Sequence, residues 1–96
     1  MSEFKTYIVD GVCNHYNQHL RRNIVNRSSI WVNCSSEEKL RRVMREMPGD
    51  DIIVSRGYEM YNNNNDDVYY NCEVYVKDED LGGCLKYLSE LGYSHI

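Results

Sequence analysis

Val68-Tyr69-Tyr70-Asn71-Cys72-Glu73-Val74-Tyr75-Val76-Lys77 is the stretch on which the fold turns. Val68, Tyr70, Cys72, Val74 and Val76 take every second position, with Tyr69, Asn71, Glu73, Tyr75 and Lys77 between them. A period of two sends the first set to one face of a strand and the second set to the other. The run predicts a half-buried strand with one apolar face and one polar, tyrosine-bearing face.

Downstream, Asp78-Glu79-Asp80 sets three acids where a helix start carries positive partial charge. Leu81, Cys84, Leu85, Leu88 and Leu91 follow at helical spacing. Gly82-Gly83 costs that helix about 1 kcal/mol each relative to alanine, and close packing on the sheet is the expected reason. Gly92 ends it, and 93–96 reads as a short closing strand. Upstream, 57–67 reads as a polar loop tipped by Asn62-Asn63-Asn64-Asn65, and 51–56 as a strand. Leu40, Val43, Met44 and Met47 form a helical stripe, opened by a capping box of Ser35 and Glu38 and stopped by Pro48-Gly49. Ile30–Cys34 reads as a strand. Val12, Tyr16, Leu20 and Ile24 recur every fourth residue and predict a helix over 11–26, with Arg21, Arg22 and Arg27 near its C-terminal end. From residue 30 the order is βαββαβ. The expected fold is therefore α+β: a ferredoxin-like βαββαβ sheet-and-helix layer with an extra N-terminal helix, in a single domain over 1–96.

A chain of 96 residues with a mean hydropathy of −0.66 has a thin margin for burying both a core and a large active site. Nine tyrosines against one Phe and one Trp favour contact surfaces as well as core, since a phenol tolerates water. Cys13, Cys34, Cys72 and Cys84 are widely spaced with no Cys-x-x-Cys pair, and no leader-like run precedes them. Free thiols in a reducing cytoplasm are expected, and no run is long enough to span a membrane.

Catalytic and metal motifs do not assemble. His15 and His19 are four apart, but Tyr16 stands where a zincin needs Glu, and no further Cys/His cluster completes a ligand set. Asn62, Asn64, Asp66 and Glu73 match four calcium-loop positions, yet the required glycine is Asp67 and a strand follows. There is no phosphate-binding glycine loop and no nucleophile elbow. No enzyme activity, metal or cofactor is expected. An RNA-binding or regulatory module using Trp31, Tyr69 and Tyr75 is the alternative. Glu73 between those tyrosines opposes phosphate, and the ribonucleoprotein glycine motif is absent.

Charge is the strongest departure from average. Residues 1–45 carry +4 and residues 46–96 carry −8. Asp50, Asp51, Glu59, Asp66, Asp67, Glu73, Asp78, Glu79 and Asp80 are the candidate partner-binding set, since carboxylates presented together imitate phosphates to a DNA-binding protein. The size, the Tyr- and Asn-rich composition, Met47-Pro48-Gly49-Asp50-Asp51-Ile52 and Asp80-Leu81-Gly82-Gly83-Cys84-Leu85 with Leu91-Gly92-Tyr93 resemble the Arn-type anti-restriction proteins of T-even phages. That resemblance implies a phage early protein, working in the host cytoplasm as a DNA mimic. It implies inhibition of an McrBC-type restriction endonuclease or another host DNA-binding protein, such as a nucleoid protein. A net charge of −4 is modest for a mimic, so the acids need one shared face or a homodimer that doubles them.

Overall fold

A computed structural model describes residues 4–55, 59–62 and 68–96. Two long strands, β1 (Lys5–Asn17) and β2 (Arg22–Cys34), form a hairpin; α1 (Glu37–Arg45), β3 (Ile53–Val54), β4 (Glu59–Asn62) and β5 (Val68–Lys77) follow. A 3-10 turn at Asp78–Asp80 leads into α2 (Leu81–Glu90), and β6 (Ser94–His95) closes the chain. The sheet order is β3-β5-β2-β1-β6, with β4 also pairing with β5. All pairs are antiparallel except β1 with β6.

This arrangement corrects the ferredoxin-like expectation. Residues 11–26 form no helix; they belong to β1, a turn and β2. The full-length β1 then occupies the place beside β2 where a βαββαβ layer would put its last strand, and β6 pairs with β1 instead. The reason lies in the backbone. Arg21 (φ 56°) and Asn26 (φ 51°) take left-handed conformations that interrupt any helix, and Gly11 (φ 95°) sits at a break in register between Val9 and Gly11. Asn17 Oδ1 accepts the Leu20 N–H at 2.9 Å, which fixes the hairpin turn. The supposed apolar stripe does not share an environment: Val12 and Tyr16 are exposed while Ile24 is buried.

The alternation of β5 holds from Cys72 to Val76, but the strand is not half-buried as expected: Asn71, Glu73 and Tyr75 on the other face are buried too, and Val68 is exposed. Cys72, Val74 and Val76 join Ile30, Val32 and Cys34 of β2 under Leu40, Val43, Met44 and Met47 of the first helical segment and Cys84 and Leu88 of the second. Both helices thus cover one face of the sheet. The cap of α1 is Ser36, one residue later than expected, accepting from Lys39 N–H at 3.3 Å. Gly82 and Gly83 are exposed, and a Cβ on either would touch nothing within 4 Å, so close packing does not explain them. β4 lies inside the segment expected to be loop.

Candidate functional site

Two places gather polar side chains. One is the corner where the chain after α1 meets the turn before α2. Gly49 has φ 137°, and a Cβ there would come within 3.3 Å of Asp80 Cβ and 3.2 Å of Ile52 Cδ1, so only glycine fits without strain. That close approach lets Asp50 N–H donate to Asp80 Oδ2 at 3.0 Å. Cys84 Sγ donates to the Pro48 carbonyl at 2.9 Å and ties the same loop to α2. Asp50, Asp78 and Glu79 are exposed around this joint, and Asp80 is half-buried within it. Asp51 (φ 51°) belongs to the corner but is neutralised: Arg27 donates to its carboxylate at 2.7 Å and to its carbonyl.

The other predicted site residues lie elsewhere. Glu59 stands opposite Asn71 in the β4–β5 register. Asp66 and Asp67 lie outside the described residues. Glu73 is on the sheet face that neither helix covers, yet it is only 7% exposed. Its Oε2 accepts from Ser29 Oγ at 2.6 Å.

That second face is the other polar place. Cross-strand rows run Thr6–Asn33–Asn71 and Ile8–Trp31–Glu73. Asn71 Nδ2 donates to Asn33 Oδ1, and Asn33 Nδ2 donates to Thr6 Oγ1 at 3.2 Å, so the amides satisfy one another in series. The far end of the β1–β2 hairpin leans over this face. Ile24 packs with Ile53 and Tyr75, and Asn17 Nδ2 donates to Tyr75 Oη at 3.1 Å and to Ser55 Oγ at 3.2 Å. Between hairpin and sheet lies a groove of about 300 Å³ bordered by His15, His19, Trp31, Glu73 and Tyr75. Trp31 also borders a second groove, of about 310 Å³, with Phe4 and Tyr69, whose rings stack 5.0 Å apart. Of the three aromatics singled out in the sequence, Tyr75 is 2% exposed and offers no face to a base.

Burial also governs the thiols. Burial, then Glu73, pushes Cys72 up to about 12, with Arg41 opposing. Burial, then Asp80, pushes Cys84 up to about 11. Cys13 is raised by burial, then Glu73 and Asp10. All four cysteines are free, and Cys13, Cys72 and Cys84, held protonated, are poor nucleophiles. His15 is in a strand and His19 in a turn, so the four-residue helical spacing between them is lost. Among the described residues no group of three His, Cys, Asp or Glu is placed to hold a metal.

No family model, curated protein or solved structure matches this chain. The likeness to Arn-type proteins rests on the sequence features alone. Among the described residues no helix is long and apolar enough to cross a membrane.

The meeting of the two acidic turns was not legible in the sequence, because it depends on a positive-φ glycine docking on Asp80. Sequence reasoning missed Asn17 and Ser55, since both matter only once the hairpin folds over β5. The polar face of β5 was the available signal.

Proposed function

We propose that the chain acts by binding rather than catalysis, presenting the Asp50/Asp78/Glu79/Asp80 corner to the basic, DNA-reading surface of another protein. The observation that carries this reading is the bond from Asp50 N–H to Asp80 Oδ2, which joins residues 30 apart in sequence and brings two acidic turns together. Complementary charge raises encounter rate and selects partners. A host restriction endonuclease of the McrBC type is the partner implied by the sequence resemblance. Surface charges are screened over about 8 Å at physiological salt, so the complex should weaken as salt rises.

The test is inhibition of a purified McrBC-type endonuclease on methylated duplex DNA. The native chain should suppress cleavage at about 50 mM salt and much less at about 200 mM. The variant Asp50→Asn/Asp78→Asn/Glu79→Gln, which spares Asp80 because it holds the loop, should lose inhibition. Unimpeded cleavage, or equal inhibition by the variant, contradicts the proposal. A second reading, RNA binding on the uncovered sheet face, is favoured only by the placement of Trp31 and Tyr69 around one groove. Retarded migration of single-stranded RNA, lost in Trp31→Ala, would select it instead.

A further inference from the structure

We propose that the groove between the β1–β2 hairpin and β5 is a guanidinium-binding site with Glu73 as its anion. This inference does not rest on the acidic corner. Glu73 is 7% exposed, and among the described residues its one side-chain hydrogen bond comes from a neutral hydroxyl, Ser29 Oγ. A carboxylate accepts several hydrogen bonds, and a buried one is stabilised by a cation with matching donors. No described cation lies within ion-pair distance of it: the described ion pairs join Arg27 to Asp51 and Arg41 to Glu37.

The surroundings select the kind of cation. Trp31 is the cross-strand partner of Glu73, and Tyr75 lies two residues along the same strand face. Both border the groove, Tyr75 as a 2% exposed part of its wall, which leaves Trp31 as the aromatic on which a ligand can stack. A guanidinium is flat, weakly hydrated and able to stack on an aromatic face while donating two parallel bonds to a carboxylate. An alkylammonium is compact and strongly hydrated, and fits such a slot less well. Asn17 and Ser55 are already engaged with Tyr75 and hold the groove wall in place. A volume of about 300 Å³ accepts one guanidinium and part of its stem. The source is either a free small guanidine or an arginine side chain on a partner protein.

Trp31 is the only tryptophan, so its emission reports this face alone. The full chain is titrated with 1-butylguanidinium and with a blocked Gly-Arg-Gly peptide, and with the citrulline peptide as uncharged control. Trp31 emission and the amide resonances of residues 73 to 75 are followed. Saturable shifts with both cations, and none with citrulline, are expected. A peptide at least tenfold tighter than butylguanidinium assigns the site to a partner's arginine; the reverse order assigns it to a free guanidine. Glu73→Gln, which keeps an acceptor for Ser29, should weaken binding at least tenfold. Citrulline matching arginine, no saturation in the millimolar range, or an unchanged affinity in Glu73→Gln would each overturn the proposal. Should Glu73→Gln fail to fold, the arginine–citrulline contrast in the native chain decides alone.

Discussion

On one face of β5, Cys72, Val74 and Val76 are sealed beneath two helices; on the other, Asn71, Glu73 and Tyr75 are almost equally buried but polar. The first face is held by apolar contact, which is non-directional and tolerates small shifts. The second is held by hydrogen bonds, two of them in series between the register partners Thr6, Asn33 and Asn71 and one diagonal from Ser29 to Glu73, and each bond fails if its partner is removed. Equal burial therefore carries different meaning on the two sides. One face is held by apolar packing, while the other sets hydrogen-bonded polar side chains next to a groove.

The largest effect expected from this contrast is alkaline unfolding through the covered face. The folded state holds the Cys72 and Cys84 thiols protonated above the ordinary value of 9.0, to about 12 and about 11. The unfolded chain loses those protons first, so the contribution of these two thiols to stability is intact below pH 9 and is lost as pH climbs towards 11 and 12. Urea unfolding followed from pH 8 upward should show this decline, and Cys72→Val/Cys84→Ala should flatten it. Next comes Leu40→Ala, a truncation of a fully buried α1 side chain over the same sheet face, which should cost about 3 kcal/mol by denaturant melts. On the opposite face, Asn71→Ala leaves the Asn33 carbonyl without its described donor and should cost about 2 kcal/mol. A loss as large as that of Leu40→Ala would break the distinction drawn here. The smallest effect has the opposite sign: Gly83→Ala, in an exposed helical position with open space for a Cβ, should raise stability by about 1 kcal/mol.

Much of the covered face was legible in the sequence. The alternation in 68–77 and the Leu40/Val43/Met44/Met47 stripe both point inward as read. The failure at 11–26 has a definite cause. A spacing of four is two strand repeats as well as about one helical turn, so Val12, Tyr16, Leu20 and Ile24 fit either period. A real helical stripe also has apolar residues three apart, and here those positions hold His15, His19 and Asn23. Gly11 at one end disfavours a helix, and the β-branched pair Ile24-Val25 at the other favours strand. Misreading that hairpin hid the groove, since its far wall is Asn17 and its neighbours. The acids of the corner were legible as residues, while their meeting was not: it depends on the φ of Gly49 and on which loop reaches Asp80.

On the proposed function, fold stability and partner recognition belong to separate parts of the molecule. The most direct test of this separation measures both in one sample of Asp50→Asn/Asp78→Asn/Glu79→Gln. The thermal midpoint should stay within a few degrees of the native chain, because these three side chains are exposed, while affinity for the endonuclease falls at least tenfold. Native-like affinity in a normally folded variant would contradict the account.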